Sequence, residues 1–301
     1  MMISTSFIIQ SCSERGANPV SNNQRQFKNL YSYVGQEHNE GLSYIFQRLT
    51  RSGISVASKA SEGSLLSDVQ NYGITFLQSK GQGELSISQF ITASEAPFHP
   101  SKLKVSSVSA GSLSSEQMGY IRNIYTLVDS LSAQDSAQFF FSLNTIEEQA
   151  YNTLGPDSSA IVLMVASVAQ SSASYWAANY QNWEEALSAT NSNQRVDVVD
   201  SVKVPTEPPG SGNGSGIGGA IGPIVGADVG GAVTGALGAI ATGCAELTLG
   251  ACAGAGATAG ALGGSAGQAI TDIWQYLTYA QYGANDLPGR SLLLNSSREG
   301  E

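Results

Sequence analysis

The sequence predicts a mainly α-helical protein, with an N-terminal helical bundle followed by a C-terminal helical hairpin rich in glycine. Apolar residues recur at steps of three and four through several segments, which is the spacing of one face of a helix. No alternation of strand and helix patterns is visible, which argues against an α/β sheet. In the last third of the chain, glycines recur at steps of four, a spacing typical of closely packed helices.

The composition narrows the class of protein. Only 13% of the 301 residues are charged, whereas typical soluble domains have about 25% charged residues. The chain has 34 glycines, which is well above the typical share of about 7%. Few charges and many small residues favour an exported or membrane-associated protein. The net charge is −10 without any cluster of Lys and Arg, which argues against nucleic acid as a partner.

The helical domain is predicted over residues 27–204, with a bundle of four to six helices between 25 and 190. Apolar spacing indicates helices near 27–49, 63–79, 114–131, 133–154 and 159–188. Ser114 and Gln117 have the spacing of a capping box at the start of the third of these. Residues 81–112 have weak periodicity and contain Pro97 and Pro100, so we expect mostly loop there, or a short strand around 85–91.

Other segments read as connections and termini. Residues 1–12 resemble a lipoprotein signal, 13–26 a polar tether, and 281–301 a flexible tail. Residues 196–204 are rich in valine, a β-branched residue, which favours a strand or an extended strap. Residues 205–216 are rich in Pro, Gly and Ser, which is typical of a linker.

The glycine pattern predicts a hairpin within residues 217–280. On a helix, residues four apart form a slowly winding row, and a row of glycines lets a second backbone approach closely. The predicted helices cover about 222–243 and 247–271, and the first is about 32 Å long, close to the thickness of a bilayer. The predicted helix-packing residues are Gly218, Gly222, Gly226, Gly230, Gly235, Gly256, Gly260 and Gly264.

Asp228 limits the membrane interpretation. A carboxylate at the centre of a membrane helix costs about 2.5–3.5 kcal/mol, and the apolar residues around it are mainly Gly and Ala. Insertion therefore requires a partner for Asp228, such as another copy in a homo-oligomer. The alternative is a soluble form in which the N-terminal helices enclose the hairpin.

The three cysteines suggest two uses. Cys12 follows an apolar run and a serine, as at the end of a bacterial lipoprotein signal peptide, where the cysteine is lipidated. The run lacks the positive residues expected in front of it. Two interpretations stay open: a signal whose true start lies upstream of Met1, or an N-terminal tail with a buried or free thiol. Cys244 and Cys252 flank the turn of the hairpin, where they form a disulfide or remain as buried thiols.

Three features in order carry a resemblance to a family. They are the segment Tyr31–Leu42, the helix end with Tyr175, Trp176, Asn179, Tyr180 and Trp183, and the glycine-rich tail. Together they resemble a group of small exported bacterial proteins with bacteriocin-like glycine-zipper C-termini. The resemblance implies a helical N-terminal module and a tail that is membrane-active or self-assembling, and it implies no catalytic residue or cofactor.

The other chemical motifs are weak. His38 lies among Glu37, Asn39 and Glu40, but consecutive helical residues diverge and do not converge on a metal ion. A capping or interhelical hydrogen bond at the start of the helix is therefore the better interpretation. His99 lies in a predicted loop without an obvious partner. We interpret the aromatic residues at 175–183 as core residues, and a platform for carbohydrate or for an interface is the alternative. We assign no catalytic, cofactor or metal site.

The sequence therefore supports two functions. The first is a bacteriocin-like or toxin-like exported protein whose hairpin associates with membrane lipid or with its own copies. The second is a non-enzymatic surface lipoprotein, structural or ligand-binding, with the hairpin packed permanently in its core. In both cases we expect a lipoprotein at the outer membrane or cell surface of a Gram-negative bacterium.

Overall fold

Seven α-helices make up the structure, a computed structural model that describes residues 27–59, 61–95, 113–131, 136–188, 218–241 and 249–282. Within these residues there is no strand, so the prediction of a mainly α-helical fold is confirmed. A short 3-10 turn, Val56–Ser58, lies between the first two helices. In chain order the helices are α1 Ser32–Arg51, α2 Glu62–Ser79, α3 Glu84–Glu95, α4 Ser115–Asp129, α5 Ser136–Ser188, α6 Gly218–Ala241 and α7 Leu249–Tyr282.

Helix α1 packs one apolar face against α5 and α7, and two glycines on that face allow close contact. A Cβ on Gly35 would overlap the backbone and side chain of Ser167 in α5. A Cβ on Gly41 would lie 2.7 Å from a methyl carbon of Leu262 in α7. The absence of a side chain at these positions brings α1 close to both helices.

Helix α3 was not predicted, because residues 81–112 were expected to be mostly loop or to contain a short strand. The structure shows that this expectation is wrong for Glu84–Glu95, which form a helix. Its buried residues are Ser86, Phe90 and Ser94, which lie four apart, but two of them are small and polar and conceal the apolar face from a hydrophobicity pattern. Residues 96–112, including His99, lie outside the described residues.

Helices α4 and α5 follow the local signals of the sequence. Ser114 and Gln117 form both hydrogen bonds of the predicted capping box at the start of α4. In α5, Gly155 has φ 77° and ψ 170°, a conformation that glycine adopts without strain. The helix axis breaks there, just before Pro156, as the sequence predicted. Beyond the break, residues 159–169 are buried on every side.

The glycine hairpin, defined here as α6 and α7, lies in the core of the molecule. Helix α6 packs on α7, α5, α3 and α4, and α7 packs on α3, α1, α2 and α5 as well. The buried apolar residues of all seven helices form one continuous cluster. The hairpin follows the bundle in sequence but shares its core in space. The predicted linker 205–216 and the strap at 196–204 lie outside the described residues.

Candidate functional site: a buried carboxylate in the glycine hairpin

The glycine zipper is an antiparallel contact between the backbones of α6 and α7. A Cβ added to Gly231 would overlap the carbonyl of Gly260, and one added to Gly235 would overlap the carbonyl of Gly256. One step earlier on α6, Ala227 lies against Gly264 in the same way. Each step of four residues along α6 therefore matches a step of four back along α7.

This register includes some of the predicted glycines and not others. Gly235, Gly256, Gly260 and Gly264 lie in the α6–α7 interface, together with Gly231. Gly222 and Gly226 lie beside Val128 of α4, at ordinary contact distances of 3.8 and 4.0 Å for an added Cβ. Gly222 and Gly226 thus face α4 and not α7, although they belong to the four-residue row that was the most regular signal in the sequence.

Helix α7 has a second row of glycines on a different face, and the sequence pattern did not distinguish it from the row that faces α6. A Cβ on Gly263 would overlap the carbonyl of Phe90, and one on Gly267 would overlap that of Ser94. Both acceptors belong to α3. Gly264 faces α6, whereas Gly267, three residues later, faces α3. A step of three along α7 therefore leads from one row of glycines to the other.

Asp228 lies within the zipper and is completely buried. Because Ala227 lies against Gly264, the following residues, Asp228 and Ser265, also come together. Ser265 Oγ donates a hydrogen bond to Asp228 Oδ2 over 3.0 Å. The register of the hairpin thus provides the first partner of the carboxyl group.

Helix α5 provides further partners. Ser172 Oγ donates a hydrogen bond to the same oxygen, Asp228 Oδ2. Trp176, one turn further along α5, donates from Nε1 to Ser265 Oγ over 2.8 Å. Residues four apart on a helix lie on the same face, so α5 holds both the carboxyl group and the serine that supports it.

Helix α1 brings His38 close to the carboxyl group. Its Nε2 lies 3.6 Å from Asp228 Oδ2, and both side chains are fully buried. On the other side of the ring, Nδ1 lies 3.0 Å from Asn39 Oδ1, and Asn39 Nδ2 donates to the carbonyl of Ser171 over 3.0 Å. We call Asp228, His38, Ser172 and Ser265 the Asp228 cluster.

Burial decides the electrostatics of the cluster. Loss of water raises the pKa of the Asp228 carboxyl, whereas His38 and the serine hydrogen bonds act in the opposite direction. All these contacts reach Oδ2, and Oδ1 accepts no hydrogen bond from the described residues. A buried carboxyl group that loses its partners is strongly destabilising, so the cluster ties the position of α6 to α1 and α5.

The arrangement differs from a Ser-His-Asp catalytic triad. In a triad the imidazole lies between the hydroxyl and the carboxylate, whereas here the carboxyl group is central. Its four members are fully buried or nearly so. A search for groups of His, Cys, Asp and Glu able to hold a metal ion found none among the described residues. The chemistry available to this cluster is proton binding and contact between helices.

The aromatic residues of α5 belong to the core. Tyr175, Trp176 and Trp183 are fully buried, and Trp183 Nε1 donates to Tyr175 Oη over 3.1 Å. Trp183 also contacts Phe46 of α1, with ring centroids 5.2 Å apart. The core interpretation of this stretch holds for these three residues, and it leaves Tyr180 half-buried at the edge.

Cys252 takes part in a disulfide bond. Its predicted partner, Cys244, and the predicted lipidation site, Cys12, lie outside the described residues.

Two helices among the described residues are long and apolar enough to cross a membrane. They are Ser136–Ser188 and the stretch Ile221–Ala241 of α6, and 83% and 78% of their apolar windows are buried inside the protein. Length and composition alone give this result, and the buried core helix of a soluble protein meets the same criteria.

Comparison with models of protein families, with curated proteins and with solved structures found no match to this chain.

Proposed function

We propose that this is a bacteriocin-like or toxin-like protein that holds its glycine hairpin inside a water-soluble bundle and transfers it to a membrane. The single observation that carries the proposal is the enclosure of α6. Residues Ile221–Ala241 have the length and hydropathy of a membrane span, and helices α3, α4, α5 and α7 cover them.

The zipper contact is suited to both environments. It joins backbone to backbone at Gly231, Gly235, Gly256 and Gly260, so it needs neither water nor the hydrophobic effect. In lipid, helix association depends on this kind of close packing. The two helices of the hairpin are therefore able to leave the bundle as one unit.

The other helices supply what the hairpin lacks in water. Leu262 of α7 packs against α1 and α2 around Gly41 and Phe76, and Asp228 receives polar partners from α1 and α5. These contacts offset the exposure of an apolar hairpin to water. Lipid on Cys12, which the sequence predicts, would hold the protein at a membrane surface before transfer.

A reversible tether between α4 and α6 tests the proposal. Val128 Cγ1 lies 4.0 Å from the place of a Cβ on Gly226, so the two cysteines of the double variant Val128→Cys/Gly226→Cys face each other across the contact of α4 with α6, as a disulfide requires. Dye release from phosphatidylcholine vesicles is measured for the oxidised and the reduced variant. The oxidised form is expected to release no dye, and reduction is expected to restore release.

The wild type with and without reductant is the control, because reductant also acts on the disulfide of Cys252. Equal dye release by the oxidised and reduced double variant would refute transfer of the hairpin. Crosslinking of the vesicle-bound protein then shows whether the hairpin associates with other copies.

The burial of most of α6 also favours the second function, a structural or ligand-binding lipoprotein with a permanent hairpin. The zipper and the Asp228 cluster are complete within one chain, as a permanent core requires. This alternative predicts that neither the wild type nor the reduced double variant releases dye.

A further inference from the structure

The hydrogen bonds around His38 define where its ring carries a proton. Asn39 Nδ2 donates to the carbonyl of Ser171, which fixes the side-chain amide with Oδ1 toward the imidazole. Because Oδ1 only accepts hydrogen bonds, His38 Nδ1, 3.0 Å away, carries a hydrogen. The other ring nitrogen, Nε2, then faces Asp228 Oδ2 over 3.6 Å.

This geometry requires one further proton between the two residues. Without it, the lone pair of Nε2 would face a carboxylate in a site from which water is excluded, and the two would repel each other. A single proton, on the imidazole or on the carboxyl group, removes that repulsion and leaves the pair without net charge. The enclosed pair therefore holds one such proton.

His38 is the titratable partner of this carboxyl group among the described residues. Helix α5 offers Ser172 and α7 offers Ser265, and neither α3 nor α4 contributes a charged group that acts on the pKa of Asp228. When the hairpin leaves the bundle, Ser265 moves with Asp228, because both belong to the hairpin. His38 and Ser172 stay behind on α1 and α5.

We propose that the Asp228 cluster couples release of the hairpin to acidification, because the enclosed pair holds one proton and the separated pair holds two in acid. The inference rests on the proposed transfer to a membrane. In lipid, Asp228 is strongly favoured in its neutral form. An imidazole left in water takes up its own proton below about pH 6.5.

Release into lipid therefore consumes one proton per molecule in acid. The equilibrium constant for transfer is expected to rise up to about tenfold for each pH unit below about pH 6.5. Above that pH both states hold one proton on this pair, so the pair adds no further dependence on pH.

The double variant His38→Gln/Asp228→Asn tests the coupling, because it keeps hydrogen-bonding groups but removes both titrating ones. Its matched control is Lys80→Gln/Glu40→Gln, which removes an exposed ion pair with an N–O distance of 2.6 Å. Every protein compared carries Cys12→Ser, so that no lipid anchor contributes, and its partition onto phosphatidylcholine vesicles is measured between about pH 7.5 and about pH 5, on either side of the imidazole range. These vesicles have no net charge, so a change in the overall charge of the protein has little effect.

The wild type and the surface control are expected to show the steep rise in acid, and the cluster variant is expected to be flat. An equal slope in the cluster variant would overturn the inference, since another group would then carry the response. A wild type that associates equally at every pH would overturn the coupling and leave the proposed transfer intact. A wild type that never associates would refute the proposed transfer, and the coupling with it.

A second measurement needs no vesicles. The ¹⁵N resonances of His38 at neutral pH report which ring nitrogens carry hydrogen. We expect Nδ1 to be protonated. A neutral ring with hydrogen on Nε2 alone would overturn the proton count, whatever the vesicles show.

Discussion

At the scale of single residues, two buried carboxyl groups in this chain have different surroundings. Asp228 lies beside an imidazole and two hydroxyl groups. Glu147 in α5 is 2% exposed, and its Oε1 accepts a hydrogen bond of 2.6 Å from Asn29 Nδ2. Asn29 Nδ2 also donates to the carbonyl of Leu163. Burial raises the pKa of Glu147 to about 7, against the opposing effect of the Asn29 hydrogen bond.

Glu147 is expected to make the stability of the protein fall as pH rises. The folded chain holds this proton up to about pH 7, whereas the unfolded chain loses it near the ordinary value of 4.5. Stability is therefore highest below that range, falls between the two values and stays low above about pH 7. Glu147→Gln is expected to raise the free energy of unfolding by about 3 kcal/mol at alkaline pH and to leave it unchanged in acid.

Urea denaturation of Glu147→Gln and wild type across this pH range measures the effect. Glu148→Gln is the control, because the neighbouring side chain is exposed. A constant difference between Glu147→Gln and wild type at all pH values would contradict the assignment of a buried, protonated Glu147.

The sequence predicted local features of the chain but not the partners of Asp228. The capping box at Ser114 and the break at Gly155 depend on local chemistry, which the sequence displays directly. The partners of Asp228 depend on the register of α6 against α7 and on the approach of α1 and α5. His38 and Ser172 are far from Asp228 in sequence, and no local pattern links them.

At the scale of helices, the zipper shows why spacing alone did not give the interface. Two glycine rows run along α6, one through Gly222 and Gly226 and one through Gly231 and Gly235. Both have the four-residue step, but only the second approaches α7 backbone to backbone. Choosing between them requires the position of the partner helix, which the sequence of α6 does not contain. Helix α3 was missed for a related reason, since its buried face contains serine.

The two rows are expected to respond to alanine in opposite ways. In Gly260→Ala the new Cβ would overlap the carbonyl of Gly231, and separating two packed helices costs about 1–3 kcal/mol. In Gly226→Ala the nearest atom lies 4.0 Å from the new Cβ. There alanine is expected to stabilise the helix by up to about 1 kcal/mol.

Thermal or urea denaturation followed by circular dichroism compares the two variants with the wild type. The result that counts against this register is a loss of stability in Gly226→Ala as large as that in Gly260→Ala.

At the scale of the whole molecule, one hydrophobic core contains both the bundle and the hairpin. The sequence predicted the helices of both parts except α3 and treated the hairpin as a segment beyond a linker. Its position inside the bundle follows from contacts among α1, α3, α5 and α7 at Gly35, Gly41, Gly263 and Gly267. Because these glycines belong to helices that are far apart in sequence, no sequence pattern links them. Only the folded chain shows that they lie at contacts within one core.

The central claim is that α6 and α7 leave this core together when the protein meets a membrane. Hydrogen exchange with and without phosphatidylcholine vesicles, at about pH 5.5, where an imidazole in water is protonated, measures this directly. Helices α3 and α4 pack on the hairpin and are expected to lose protection. Residues 221–241 are expected to stay protected, because lipid preserves helical hydrogen bonds. Unchanged protection of α3 and α4 in vesicle-bound protein would contradict the claim.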